Sequence, residues 1–211
     1  MLFQLDILPN NSKLGIWKIE KTIEELHTQL SDQSLLDYRF LSITNNARKL
    51  EWLSVRLLIK TLCGEEKTLV YNAAGKPTLA DNSFNISISH TKGYVAVLIH
   101  PTQIVGLDIE NRSERILKLK NKFMHSTELV AIDQTQEALH ILLYWSAKET
   151  LFKIMPEEAI DFIEHLHISP FVLIEKGSFE ANETRSQNKQ HFTIQYQVFE
   201  DFVLTWTTKL M

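Results

Sequence analysis

The sequence predicts an α+β fold, and three observations predict it. Strand-like and helix-like periodicities occur in both halves, neighbouring strands are joined by turn residues, and no simple strand-helix unit repeats. The 211 residues leave room for one large domain or two small ones, and a 44 % apolar content supplies a core. The pattern changes near residue 105, which divides the chain into an N-terminal half, 1–105, and a C-terminal half, 106–211.

In chain order, apolar alternation predicts strands over 2–7 and 14–19. Ile23, Leu26, Leu30, Leu35 and Leu36 predict a helix over 23–40. Leu50, Leu53, Leu57 and Leu58 predict a second over 47–62, with Gly64 as its stop. Asn72 to Pro77 reads as a turn. Phe84, Ile86 and Ile88 alternate with polar residues as in a strand, His90 to Gly93 turns, and 94–99 returns as a buried strand. After a strand over 104–109 come a charged stretch at 111–122, a helix near 126–133 and a longer one over 136–155. Strands are expected at 168–174, 191–199 and 202–208, and the polar segment 178–190 is expected to be a mobile loop.

Composition excludes several classes. The six glycines lie at 15, 64, 75, 93, 106 and 177, too far apart for either glycine-rich phosphate cradle. A bound nucleotide must therefore be held by side chains. A formal charge of −4 without a long basic run argues against a nucleic-acid or membrane surface. Cys63 stands alone, no apolar run reaches the length of a membrane span, and the N-terminus lacks the pattern of a secretion signal. A soluble, cytoplasmic chain is the expectation.

Three constellations can carry chemistry. In Gly106-Leu107-Asp108-Ile109-Glu110, the period of a strand puts Asp108 and Glu110 on one face and Val105, Leu107 and Ile109 in the core. Two such carboxylates suit a hard divalent cation; the alternative is a solvated strand end paired with Arg112 or Arg115. On the long helix, Ala138, Leu142, Trp145, Glu149 and Phe152 form one seam, so Glu149 is either paired or metal-bound, or else makes an ordinary i, i+4 pair with Lys153. Ser89-His90-Thr91 lacks a nucleophile elbow; His90 suits a phosphate, or else stabilises the turn. His165 and His167 with Glu164 lack a third placed ligand, Cys63 reads as inert, and Trp17, Trp52 and Trp206 read as core or interface aromatics.

Taken in order, Gly75-Lys76-Pro77, Ser87-Ile88-Ser89-His90-Thr91, Gly106-Leu107-Asp108-Ile109-Glu110 and the run from Trp145 to Lys153 (WSAKETLFK) resemble the four motifs of the surfactin-synthetase-type 4′-phosphopantetheinyl transferases. The match runs from Arg48 to Lys153. Thr91 replaces the usual serine after the histidine, Thr150 replaces a small Ala or Ser after Glu149, and Val55-Arg56 replaces Gly-Arg.

The resemblance implies two similar α+β halves in a pseudo-twofold arrangement, with coenzyme A in the cleft between them. It implies transfer of the phosphopantetheine arm from coenzyme A to a serine of an apo acyl or peptidyl carrier protein, with release of adenosine 3′,5′-bisphosphate. Asp108, Glu110 and Glu149 would then hold Mg²⁺, with Mn²⁺ a possible substitute. Glu149 would act as base, and Lys153 would stabilise or protonate the leaving phosphate. Lys76, His90 and Arg56, supported by Ser89, Thr91 and Arg48, would hold the phosphates of coenzyme A. The protein would act as a monomer, and Lys118, Lys120 and Lys122 would meet an acidic carrier or else form a solvated charge run. The rival readings are a Mg²⁺-dependent phosphohydrolase and a non-enzymatic module that binds coenzyme A or a carrier protein.

Overall fold

The computed structural model describes residues 1–31, 38–73, 75–155 and 159–209. They fall into two compact units that divide between Ile104 and Val105. Among the described residues, no helix is long and apolar enough to cross a membrane.

The first unit contains, in chain order, β1 (Leu2–Ile7), β2 (Lys13–Lys18), α1 (Ile23–His27), α2 (Tyr38–Ser42), α3 (Asn46–Cys63), β3 (Leu69–Tyr71), β4 (Pro77–Leu79), β5 (Asn85–Thr91) and β6 (Tyr94–His100). Its main sheet has the order β1-β2-β6-β5, every pair antiparallel. The asparagine at 45 starts α3 by accepting the Arg48 amide at 3.1 Å, and Gly64 ends it at φ 81°. Leu53, Leu57, Leu58 and Leu62 of α3 pack with Val95, Val97 and Ile99 of β6 in the core. β3 and β4 form a hairpin around the expected Asn72–Pro77 turn.

The helix expected over 23–40 is not continuous. Thr22 and Glu25 make a capping box at its start, but α1 stops at His27, with Thr28 as its C-cap, and a separate helix begins at 38. Leu26 and Leu30 are both buried in the core without needing one helix to carry them. Leu35 and Leu36 lie outside the described residues.

The second unit contains β7 (Ile104–Asn111), α4 (Ser126–Val130), α5 (Glu137–Ile154), β8 (Leu166–Ile168), β9 (Lys176–Glu183), β10 (His191–Val198) and β11 (Phe202–Lys209). Its sheet has the order β7-β11-β10-β9-β8. α5 is buried on most of its circumference, since Ile141, Leu143, Tyr144, Ala147, Leu151 and Ile154 are all inaccessible or nearly so.

Here the structure corrects three expectations. The helix expected over 126–133 ends at Val130. The strand expected at 168–174 is β8, which ends at Ile168. The first part of the expected polar loop at 178–190, up to Glu183, is instead the end of β9: Phe179, Ala181 and Glu183 face inward, with Ser178, Glu180 and Asn182 between them. The inward glutamate, whose carboxylate accepts backbone N–H groups from Arg185, Ser186 and Gln190, disguises a strand period as a polar run.

Candidate active site

The pleat of β7 puts Gly106, Asp108 and Glu110 on one face, and α5 lies against that face. A Cβ at Gly106 would come within 2.4 Å of the Thr150 carbonyl oxygen and 2.7 Å of Ile154 Cγ2. The missing side chain therefore brings helix and strand together rather than leaving the strand face open. Asp108 is in consequence only 4 % exposed, not a solvated strand end.

Each Asp108 oxygen has a donor. Ser146 Oγ donates to Oδ2 at 2.9 Å, and Lys153 Nζ donates to Oδ1 at 2.9 Å while also donating to the Leu107 carbonyl at 2.8 Å. Lys153 thus crosses from the helix to the strand instead of making the ordinary helix pair with Glu149. Arg112, the other expected partner, donates to the carbonyls of Phe199 and Glu200.

Glu110 accepts from Trp145 Nε1 at 2.7 Å. Burial pushes its carboxyl up, and Asp108 and then Glu149 add to the effect, to about 7 in all. Glu149 is half-buried, and its carboxyl is raised first by burial and then by Asp108, with Lys153 opposing. The helical seam that placed it is not the core face: Leu142 is buried, but Phe152 is 46 % exposed.

The neighbouring residue of the same motif does something the sequence did not foretell. Lys148 is wholly buried, and its ammonium donates to Glu128 Oε2 at 2.7 Å and to the carbonyls of Phe123 and Phe162, each at 2.8 Å. Burial pulls the Lys148 ammonium down, against the pull of Glu128. Glu128 also accepts the amides of His125 and Ile168, each at 2.8 Å. The available signal was the spacing His125-x-x-Glu128, a capping box at the start of α4.

In the first unit, β5 carries His90 on the face of Ile86 and Ile88. The Arg48 guanidinium meets His90 Nε2 and also pairs with Glu51 at 2.9 Å, while His90 Nδ1 lies 3.6 Å from Glu51. Ser89 is buried, Thr91 is half-buried, and Lys76 is exposed in the β3–β4 turn. Gly75 forms that turn at φ 80°, and Asn72 Oδ1 accepts the Lys76 amide at 2.9 Å. Arg56 is buried, stacks on the Trp52 ring and donates to the Trp52 carbonyl.

His165 and His167 each hydrogen-bond to the local chain, through the Asp161 amide and the Glu164 carbonyl. As the side chains stand, no group of three or more His, Cys, Asp or Glu among the described residues is arranged to hold a metal ion. The donor chemistry nevertheless fits a hard divalent cation. Asp108, Glu110 and Glu149 are oxygen donors whose burial and mutual repulsion raise Glu110 and Glu149, a penalty that a cation would relieve. Trp145 engages only one oxygen of Glu110 and Lys153 one oxygen of Asp108, so both carboxylates keep lone pairs for a cation.

Residues 104–207 match the family model of the 4′-phosphopantetheinyl transferase superfamily. A relative from Aneurinibacillus migulanus, named 4′-phosphopantetheinyl transferase gsp, is 27 % identical over 174 residues, which cover 78 % of this chain and 69 % of the relative.

Proposed function

The chain belongs, through its second half, to the 4′-phosphopantetheinyl transferase superfamily, and on that premise we propose that it modifies a serine of an apo acyl or peptidyl carrier protein in a Mg²⁺-dependent reaction. The donor would be coenzyme A and the second product adenosine 3′,5′-bisphosphate. One arrangement carries the proposal: Asp108 and Glu110 share the face of β7 against which α5 lies, α5 carries Glu149, and Lys153 of α5 reaches Asp108 at 2.9 Å, all within the matched region.

In this reading Asp108, Glu110 and Glu149 hold Mg²⁺, or Mn²⁺ in its place, and the ion supplies charge neutralisation at the pyrophosphate. Glu149, half-buried on α5, takes the proton of the carrier serine. The serine oxygen bonds to the phosphorus that bears the pantetheine arm as the bond from that phosphorus to the bridging oxygen breaks. Lys153 supplies positive charge or a proton to the departing phosphate. Arg48, Lys76, Ser89, His90 and Thr91 are proposed to hold coenzyme A phosphates, with Arg56 a buried charge on the same helix as Arg48. Exposed Lys118 and Lys122 are proposed to face the carrier, whereas Lys120 is engaged with Glu137 at 2.6 Å. The protein is proposed to act as a monomer.

The test is the intact mass of apo carrier proteins incubated with the chain, coenzyme A and Mg²⁺. A gain of one phosphopantetheine arm on the carrier serine is expected. Free phosphopantetheine beside an unmodified carrier would overturn transfer in favour of hydrolysis, and binding without turnover would favour a non-enzymatic module.

A further inference from the structure

Thr205 lies on β11, outside every motif that marks the site, yet it stands in a line of hydroxyls that ends on Asp108. Ser146 Oγ donates to Asp108 Oδ2 at 2.9 Å; the same oxygen is 2.9 Å from Thr205 Oγ1, which is 2.7 Å from Thr150 Oγ1. Ser146, Thr150 and Thr205 are each 0 % exposed.

A hydroxyl has one proton to give, and a carboxylate oxygen can only accept. Ser146 gives its proton to Asp108, so it must accept from Thr205. Thr205 has then given its own proton, and Thr150, whose hydroxyl also donates to the Thr205 carbonyl at 3.2 Å, shares its one proton between that carbonyl and Thr205 Oγ1. The inner links have one direction, Thr205 to Ser146 to Asp108, and Thr150 braces Thr205 through both its carbonyl and its hydroxyl.

That direction matters because a serine inside a helix has a competing acceptor, the carbonyl one turn back, here that of Leu142. A donor on Ser146 Oγ holds the oxygen in the orientation that aims its proton at Asp108, and successive hydroxyls polarise one another. Thr150 stands where the resembled motif carries Ala or Ser.

We propose that Thr205 is a positioning residue for the Asp108 carboxylate, acting through Ser146 and held in turn by Thr150. The inference rests on the reading of Asp108 as a Mg²⁺ ligand: fixing Oδ2 leaves Oδ1, the oxygen that Lys153 now holds, for the cation.

The test is calorimetric titration with Mg²⁺ alone. Thr205→Val keeps the side-chain shape and removes the hydroxyl, and is expected to weaken Mg²⁺ binding by about 3–10-fold, the scale of one hydrogen bond. Thr205→Ser restores affinity to within about twofold. Ser146→Ala removes the link to Asp108 itself, so adding Thr205→Val to it costs less than a further twofold or so, whereas independent packing effects would multiply. If Thr205→Val does not fold, Thr150→Val reads the outer link, with an expected loss of about threefold. Unchanged Mg²⁺ affinity in Thr205→Val, multiplicative losses in the double variant, or no Mg²⁺ uptake by the wild-type chain at millimolar metal would each overturn the relay. Carrier loading is read separately: a wild-type chain that loads no carrier, beside a Thr205→Val variant with weakened Mg²⁺ binding, sinks transfer and leaves the relay standing.

Discussion

Lys148 and Glu128 form an ion pair 2.7 Å long, with side-chain exposures of 0 % and 2 %. The ammonium ties α5 to the carbonyls of Phe123 and Phe162, and the carboxylate ties the start of α4 to the amides of His125 and Ile168. The pair sits one residue from Glu149, so it fixes how the helix presents that carboxylate.

Removing one partner leaves the other charge buried and unpaired. Lys148→Met is expected to cost about 3–5 kcal/mol of stability in urea denaturation. Lys148→Met with Glu128→Gln is expected to recover part of that loss, because the orphaned charge is gone while the single amide oxygen keeps one of the two N–H groups, that of His125 or that of Ile168. A double variant no more stable than the single would show that packing, not charge, dominates.

The approach of β7 to α5 sets a second expectation. Gly106→Ala drives a methyl into the Thr150 carbonyl, a backbone atom, and into Ile154. At Gly15 the nearest atom is the Leu58 Cδ1 terminus at 2.6 Å, which can turn aside. Gly106→Ala is therefore expected to cost about 2–3 kcal/mol and Gly15→Ala about 1 kcal/mol, by thermal denaturation. Equal losses would mean that the helix moves as easily as a leucine methyl.

His140 gives a pH dependence. It is 1 % exposed, its Nδ1 accepts the Asp133 amide at 2.9 Å, and its Nε2 is buried without a hydrogen-bond partner. Protonation would turn the acceptor into a donor facing a donor, and burial lowers the imidazolium pKa below its usual 6.5, with Asp133 opposing. Below about pH 6.5 the unfolded chain then binds a proton that the folded one resists, so this contribution to stability is lost as pH falls from 7 toward 5. His140→Gln can still accept from Asp133 and does not titrate. Its melting temperature should fall less over that range than the wild type's, and a parallel fall would exclude His140 as the source.

On the first unit, the meeting of Arg48 and His90 over Glu51 predicts a binding defect rather than a chemical one. His90→Ala is expected to raise the KM for coenzyme A by about tenfold and to change kcat by less than about threefold. A loss confined to kcat would move His90 from holding the donor to acting on the reacting bond.

Much of the fold was legible because its periods were clean. α3 starts and stops within a residue or so of the leucine pattern, and β5, β6 and β11 follow their alternation. What was hidden had physical reasons. β9 buries Glu183 at a position that an apolar residue would normally mark, so its sequence looks like a loop. Asp108 reads as a solvent-facing carboxylate because nothing in the sequence tells how closely α5 approaches Gly106. Nothing local in the sequence marks Lys148 as buried, because its partner, Glu128, lies 20 positions away. Thr205 carries no local signal at all, since its role exists only once β11 packs against α5.

Metal-dependent transfer is tested by the release of adenosine 3′,5′-bisphosphate set against the mass of the carrier, in the wild type and in Asp108→Ala, with and without Mg²⁺. One nucleotide released for each arm gained by the carrier, complete dependence on a divalent cation, and a loss of about 10²–10³-fold in Asp108→Ala are expected. Carrier loading that survives excess chelator, or that Asp108→Ala leaves unchanged, would contradict metal-dependent transfer.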